Sequence, residues 1–292
     1  MHPYAIISLG EELSINLYGV SIACGILACF FVLFEFGKWA GVSAKYIDFA
    51  FYAGIVSIVV GFIGSAAWQG LFNYIDAIKS GVKNPTFSLN GGITAIGGLG
   101  TGALTYIIIC LCFKNRYPYA LTKTVIVAPL CMIIAHAFGR LGCLFSGCCH
   151  GEFLGTQYVF GGIKMLGEEG WGYYVPVQLY ESLFLFMLFT VLSILLLKKR
   201  FKLILPIYLG AYGIWRFFIE FARADAARGS FIGNLSPSQS LSILLVVLAV
   251  PAFFILRHFV KKAEEHDNAV IDQAEKLSAD KEPEQATADE SK

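Results

Sequence analysis

Seven long apolar runs constrain the fold more than any other feature of this sequence. Each approaches the length of about 20 residues that a helix needs to cross a bilayer. Lipid offers no partners to backbone N–H and C=O groups, and no run alternates as a barrel strand would, so the runs must be helical. The sequence therefore predicts an all-α polytopic membrane protein with seven transmembrane helices. The runs lie at Ile15–Phe36, Ile47–Trp68, Gly97–Phe113, Leu121–Phe145, Pro176–Leu197, Ile204–Phe221 and Ser238–Leu256.

The composition excludes a soluble globular protein. Hydrophobic residues make up 57% of the 292 residues, and charged residues only 15%. A soluble domain carries about 25% charged and about 45–50% apolar residues. Once the seven runs are removed, no soluble catalytic domain remains. Any chemistry must therefore use groups in or beside the lipid bilayer, and no nucleic-acid partner is predicted.

The basic residues of the loops predict the orientation of the chain. With the N-terminus outside, twelve Lys and Arg residues fall on the cytoplasmic side and five on the opposite side. Cytoplasmic loops are enriched in Lys and Arg. We therefore expect the N-terminus outside and the C-terminus in the cytoplasm.

The last segment differs from the rest of the chain. Residues 261–292 carry five Lys and ten acidic residues, with few large apolar side chains. Such a segment cannot bury enough apolar surface to fold alone. We predict a transmembrane domain over residues 1–260 and an acidic, largely disordered cytoplasmic tail over residues 261–292.

The fourth apolar run carries polar residues on one helix face. His136, Arg140 and Cys143 stand at positions i, i+4 and i+7. Ionisable groups inside a membrane are costly and face a cavity or a partner. Arginine stays protonated and presents a fork of donors that matches phosphate. Arg140 therefore either pairs with Glu181 or Glu220, or contacts an anionic ligand.

The sixth run carries a second polar stripe. Tyr212, Arg216, Glu220 and Arg223 fall within one face, and Arg216 lies one turn from Glu220. Arg216 is therefore either half of an internal ion pair or, with Arg140, part of a site for a phosphodiester. Three further polar residues are candidates for the same site: Gln178 and Glu181 on one face of the fifth run, and Tyr18 at the outer edge of the first.

Two local clusters allow more than one interpretation. The glycine-dense segment that opens the third run places Gly98 and Gly102 for close helix packing, or leaves an exposed loop for a lipid headgroup. Cys143, Cys148, Cys149 and His150 are residue types that bind zinc, but their spacing is not a usual zinc pattern. Adjacent cysteines also form disulfides only with strain. We predict close packing or cavity lining for this cluster, with no metal and no cofactor.

An ordered set of motifs resembles the prolipoprotein diacylglyceryl transferase family. The resemblance runs from Tyr18 to about Leu256, and each motif alone is weak. The matching segments are Leu17-Tyr18-Gly19, Gly91-Gly92-Ile93 with Gly97-Gly98-Leu99, Gly139-Arg140-Leu141-Gly142 with Gly147 and Gly151, Pro176 to Glu181, Tyr212-Gly213 with Arg216, Glu220 and Arg223, and Ser238 to Ser242.

The resemblance implies an activity and its partners. Members of this family move the diacylglyceryl group of phosphatidylglycerol to the lipobox cysteine in the signal peptide of a prolipoprotein, and they release glycerol phosphate. The resemblance also implies seven spans in the bacterial inner membrane. We expect catalytic roles for Arg140, Arg216 and His136. We expect substrate-binding roles for Tyr18, Gly97, Gly98, Cys143, Gly151, Gln178, Glu181, Tyr212 and Glu220.

Three positions depart from the family pattern and keep alternatives open. Ile96 stands where the family usually has a histidine, and Cys143 stands where it usually has an asparagine. Cys148 likewise replaces an acidic residue. The chain is therefore either a lipoprotein transferase in which another group substitutes, or a divergent paralogue with another acceptor. A non-catalytic transporter is the third interpretation, because membrane arginines and broken glycine segments also occur there.

Overall fold

A computed structural model describes residues 7–9, 13–89, 92, 94–167, 169–223 and 235–289. Within these residues, six helices are long and apolar enough to cross a membrane. The third predicted span contains a shorter apolar helix, Gly97–Cys112. The prediction of a mainly helical membrane protein is thus confirmed. The six long segments are Leu17–Trp39, Ala44–Lys79, Ala128–Ser146, Val177–Leu197, Ile204–Ala222 and Pro237–Gln273.

The described residues form nine α-helices and five short strands. A π-helical turn, Val32–Phe36, follows the first helix, which ends at Phe31, and a 3-10 turn, Glu220–Ala222, follows the helix that ends at Ile219. The strands are β1 (Ile7–Leu9), β2 (Leu13–Ile15), β3 (Phe153–Gly155), β4 (Ile163–Gly167) and β5 (Gly170–Tyr174). The helices are α1 (Leu17–Phe31), α2 (Gly37–Trp39), α3 (Ala44–Lys79), α4 (Ala95–Cys112), α5 (Ala120–Thr124), α6 (Ala128–Ser146), α7 (Val177–Leu197), α8 (Ile204–Ile219) and α9 (Pro237–Asp289).

Two helices differ from the predicted runs. The predicted span Leu121–Phe145 is divided into α5 and α6, and α6 begins one residue before Pro129. Proline lacks an N–H and is tolerated in the first turn of a helix but not in its interior, which explains the break. Helix α9 continues past the apolar run into the acidic segment.

A small sheet lies in the long loop between α6 and α7. Strands β3, β5 and β4 are antiparallel, in that order. Its buried side chains Met165 and Tyr174 pack against Leu144 of α6. This sheet is not predicted from the sequence, because strands of three to five residues carry too little alternation to be recognised.

The chain forms two compact units. One comprises Met1–Gly25 and His136–Lys292, and the other comprises Ile26–Ala135. In the second unit, α3 and α4 pack closely through small residues. A Cβ atom on Gly61 would lie 3.0 Å from the Gly98 carbonyl oxygen, and one on Gly102 would lie 3.2 Å from the Ser57 carbonyl oxygen. The predicted packing face of Gly98 and Gly102 is therefore confirmed.

Gly97 provides a test of this close packing. A Cβ atom there would lie 2.6 Å from the Cβ of Trp68, whereas one on Gly100 would meet nothing within 4 Å. We expect Gly97→Ala to lower the free energy of unfolding by about 1–3 kcal/mol, because overpacking forces a shift of the helix backbone. Gly100→Ala is the matched control and should be neutral or slightly stabilising. Denaturation by SDS in mixed micelles measures both, and equal stability of the two variants would contradict the packing argument.

Candidate functional site

The first half of the candidate site joins three helices of the first unit. Arg140 Nε on α6 lies 3.0 Å from Oε2 of Glu181 on α7, as an ion pair without hydrogen-bond alignment. Glu181 is fully buried, with 0% of its side chain exposed. Its other oxygen, Oε1, accepts a hydrogen bond of 2.8 Å from the Tyr212 hydroxyl on α8. The ion pair with Glu181 that the sequence allowed for Arg140 is therefore present.

The second half lies at the end of α8 and the start of α9. Arg216 Nη2 is 2.7 Å from Glu220 Oε2 and donates a hydrogen bond of 3.0 Å to the Ser238 hydroxyl. Arg223 Nε lies 3.8 Å from the same Glu220 oxygen. The Ser236 hydroxyl donates a hydrogen bond of 3.0 Å to Glu220 Oε1. The ion pair with Glu220 that the sequence allowed for Arg216 is therefore present.

His136 lies between the two halves. Its Nε2 is 3.7 Å from Glu181 Oε1, beyond hydrogen-bonding distance, and its ring packs edge-on against Tyr212 with 5.1 Å between ring centroids. It interacts electrostatically with both Arg140 and Arg216. The arginines of the fourth and sixth predicted spans are thus both within electrostatic range of His136.

The site has one buried donor without a hydrogen bond. Arg140 lies beside Glu181, and Arg216 and Arg223 both lie beside Glu220. Among these groups, Arg216 Nη1 is buried and makes no hydrogen bond to any described residue. Burying a polar group without a hydrogen bond is costly. An anion with acceptor oxygens would satisfy that donor.

The end of α6 places three cysteines beside Arg140. The Cys148 N–H bonds to the Cys143 carbonyl at 3.2 Å, and the Gly147 N–H bonds to the Leu144 carbonyl at 3.2 Å. These two bonds, with Gly147 at φ 70°, form a Schellman motif. The chain is thereby folded back so that the sulfur atoms of Cys143, Cys148 and Cys149 lie within 4.8 Å of one another.

Further contacts hold the cysteine loop against the rest of the site. Gln178 Nε2 donates a hydrogen bond of 2.6 Å to the Cys148 carbonyl. Gly151 bridges to Arg223 in antiparallel fashion, and a Cβ atom at Gly151 would collide with the Ala222 carbonyl oxygen. Gly151 is therefore required by close backbone approach. The loop is tied both to the helix that carries Glu181 and to the residue after the 3-10 turn.

Neighbouring thiols and arginine charges change the pKa of one cysteine in this loop. Hydrogen bonding to Cys143 and Cys148 lowers the pKa of the Cys149 thiol, and the nearby Arg223 and Arg140 charges act in the same direction. His150 is not part of the thiol group. Its Nδ1 lies 2.9 Å from the Gly151 carbonyl oxygen, and its ring lies against Tyr174.

Tyr18 and the glycine motif complete the list of predicted site residues. The Tyr18 ring packs on α6, where a Cβ atom on Gly142 would be 3.0 Å from the ring, and Tyr18 interacts electrostatically with all three thiols. Gly97 and Gly98 lie in the second unit and pack on α3. Gly91 and Ile93 lie outside the described residues, as does the side chain of Ile96. The binding roles assigned to the glycines stay a prediction.

Two serines of the site are not predicted from the sequence. Ser236 and Ser238 flank Pro237, the first residue of α9, and they bind Glu220 and Arg216 respectively. Serine and proline at a helix start are a recognised signal for its N-terminus. That signal predicts where α9 begins, but not that its first residues reach two charged groups of α8 and the turn after it.

The helices and the site together define a multi-pass membrane protein with a buried cluster of arginines and glutamates. Comparison with known proteins then gives the family. The family model described as prolipoprotein diacylglyceryl transferase matches residues 4–255. The chain belongs to this family.

Relatives from several bacteria agree with this assignment, and each is called phosphatidylglycerol–prolipoprotein diacylglyceryl transferase. The protein from Lactobacillus delbrueckii subsp. bulgaricus is 32% identical over 265 residues, which cover 87% of this chain and 91% of the relative. The protein from Dehalococcoides mccartyi is 32% identical over 265 residues, covering 89% and 95%. The protein from Staphylococcus epidermidis is 30% identical over 276 residues, covering 90% and 91%.

Proposed function

We propose that this protein transfers the diacylglyceryl group of phosphatidylglycerol to the lipobox cysteine thiol of a prolipoprotein, forming a thioether and releasing glycerol phosphate. The observation that carries the proposal is the buried cluster of Arg140 with Glu181 and Arg216 with Glu220, in which Arg216 Nη1 is a buried donor without a hydrogen bond to any described residue. A phosphodiester carries one negative charge and oxygens that accept hydrogen bonds. Relatives named for this reaction share about 30% of their residues with the chain.

The arginines act on the leaving group. Arg140 and Arg216 bind the phosphate, and Arg216 Nη1 supplies a donor that has no partner among the described residues. As the bond between carbon and the phosphate oxygen breaks, negative charge grows on the phosphate. Fixed donors that bind this charge more strongly in the transition state than in the substrate accelerate the step.

The glutamates and tyrosines position the arginines and line the headgroup site. Glu181, held by Tyr212, orients Arg140, and Glu220, held by Ser236, orients Arg216. Gln178 anchors the cysteine loop. His136 is the candidate base for the incoming thiol, because its imidazole lies at this cluster, with Nε2 3.7 Å from Glu181 Oε1. Tyr18 lies against Gly142 and near the three thiols.

The topology is part of the proposal. We propose seven spans, with α4 as the short third span, the N-terminus outside and the C-terminus in the cytoplasm of a bacterial cell with the protein in its inner membrane. Residues 1–260 form the transferase domain, and the acidic segment 261–292 is a cytoplasmic tail. Reporter fusions at the α4–α5 loop and at the C-terminus test this orientation, since both should report a cytoplasmic position.

A transfer assay tests the function. The purified protein is given phosphatidylglycerol and a lipobox peptide, and the expected products are glycerol phosphate and a peptide whose mass has increased by the diacylglyceryl group. A peptide with serine in place of the lipobox cysteine is the control and should stay unmodified. A transporter would release no glycerol phosphate, so the absence of both products would sink the proposal.

A divergent paralogue is the second candidate, and Ile96 and Cys143 are the residues that favour it. If the natural acceptor is not a lipobox cysteine, activity with the lipobox peptide should be low. The double substitution Ile96→His and Cys143→Asn should then raise that activity. Strong activity in the unchanged protein would exclude this alternative.

A further inference from the structure

The three cysteines at the end of α6 form a group with no role in the binding of the phosphate or in the departure of the leaving group. The sulfur atoms of Cys143, Cys148 and Cys149 all lie within 4.8 Å of one another. Zinc–thiolate bonds are about 2.3 Å long, so tetrahedral geometry places two sulfur ligands about 3.8 Å apart. Rotations of the side chains that move the sulfur atoms by about 1 Å would therefore bring all three onto one metal ion.

The backbone holds these thiols in place. The Schellman motif after α6 sets Cys148 over Cys143, and Gln178 fixes the Cys148 carbonyl. Cys149 has a positive φ of 58°. A side chain other than glycine adopts this conformation only at a cost, and such residues are concentrated at ligand clamps and active sites. The loop thus holds Cys149 in a strained conformation that directs its thiol to the other two.

The number of ligands indicates the type of metal site. Within the described part of the chain, the group has three members, because His150 binds the Gly151 carbonyl instead. Structural zinc sites usually have four protein ligands, whereas catalytic sites have three and keep one position open. Cys148 is exposed, so the group is accessible from one side.

We propose that Cys143, Cys148 and Cys149 bind a thiophilic divalent cation, Zn²⁺, whose fourth position receives the thiol of the acceptor cysteine. This inference rests on the proposed transferase function. A metal-bound thiol is deprotonated, and the thiolate is the nucleophilic form. The metal would supply the thiol activation that the family's histidine position, occupied here by Ile96, cannot.

The step balances in atoms and charge. The acceptor thiol binds the cation as a thiolate, and its proton passes to water. The sulfur electron pair forms a bond to the terminal carbon of the diacylglyceryl group, while the bond from that carbon to the phosphate oxygen breaks. The electron pair of the broken bond stays on the phosphate, which leaves as glycerol phosphate. The thioether is neutral and a weak ligand, so it dissociates from the cation.

The positive charges near the loop are compatible with a negatively charged group of thiolates and one cation. Three thiolates and one divalent cation carry a net charge of −1, and a fourth thiolate increases it to −2. Arg140 stands three residues before Cys143 on α6, which places the two side chains on neighbouring positions of the helix surface. Arg140 and Arg223 both interact electrostatically with Cys149. These two positive charges offset the negative charge of the thiolate group, and Arg140 places the phosphate next to the activated sulfur.

Cobalt binding tests the site directly. The full-length protein is purified in detergent with reductant, stripped with a chelator and titrated with Co²⁺. We expect a thiolate-to-cobalt charge-transfer band and the visible bands of tetrahedral cobalt, both lost on addition of Zn²⁺. Each of Cys143→Ser, Cys148→Ser and Cys149→Ser should lose the charge-transfer band. Cys112→Ser, an exposed cysteine at the end of α4, is the matched control and should keep it.

Binding of the acceptor thiol at the open coordination position of the metal is tested separately, through the cobalt spectrum. A lipobox peptide should shift the cobalt bands, and the peptide with serine at the acceptor position should not. A missing charge-transfer band, or one that persists when all three cysteines are serine, overturns the metal site. Full transfer activity in chelator-stripped protein overturns the role in thiol activation but leaves the proposed function intact. Cobalt binding without any transfer from phosphatidylglycerol in zinc-loaded protein rejects the proposed function, and thiol activation with it.

Discussion

Arg140→Ala is expected to lower kcat/KM for diacylglyceryl transfer by about 10²–10³-fold. Arg140 is the cation on α6 and is held by the fully buried carboxylate of Glu181. Its removal takes away a fixed donor at the point where charge develops on the phosphate, and losses of this size are typical for one such donor. Steady-state assay of glycerol phosphate release measures the effect.

Arg140→Lys is the matched control for charge. Lysine keeps the positive charge but lacks the planar fork that binds two phosphate oxygens at once. Its activity should fall between that of the unchanged protein and that of Arg140→Ala. Full activity of Arg140→Ala, in protein that elutes as a single species, would remove Arg140 from the mechanism.

Glu181→Ala is expected to lower the free energy of unfolding by about 3–5 kcal/mol. Glu181 is the most enclosed charged group of the site, and both of its oxygens have partners, Arg140 and the Tyr212 hydroxyl. Without the carboxylate, the Arg140 charge stays buried without its partner, and breaking a buried pair in this way has a cost of that order. SDS denaturation in mixed micelles measures the change.

A double-mutant cycle separates the pair from its surroundings. Removing both charges in Arg140→Ala with Glu181→Ala should destabilise by less than the sum of the two single changes, with a coupling of about 0.5–3 kcal/mol. Glu181→Gln should be milder than Glu181→Ala, because its amide oxygen still accepts the Tyr212 hydrogen bond. Additive effects of the two alanine substitutions would contradict the ion pair.

Spacing along single helices was sufficient to predict part of the site. His136 and Arg140 stand four residues apart on α6, and Arg216 and Glu220 stand four residues apart at the end of α8, so the helical period alone places each pair on one face. The pairing of Arg216 with Glu220 was predicted for this reason. For Arg140 the sequence allowed two glutamates, and only the packing of α7 against α8 and α6 selects Glu181.

Contacts between elements that are distant in sequence could not be predicted. Ser238 reaches Arg216 because α9 packs along α8, and Gly151 meets Arg223 across a bridge between two loops. The thiol group is a similar case. The Cys143, Cys148 and Cys149 spacing resembles no usual metal pattern, and it becomes a compact group only because Gly147 folds the chain back after α6.

Two properties of this chain follow from its amino-acid sequence: it is a helical membrane protein of the diacylglyceryl transferase family, and it has arginines inside its spans. Hydrophobic length and the absence of backbone partners in lipid leave no other fold class. Only the packing of separate elements selects the carboxylate beside each arginine, leaves Arg216 Nη1 buried without a hydrogen bond among the described residues, and brings three thiols together. These features depend on distances between separate helices and loops, which local spacing does not specify.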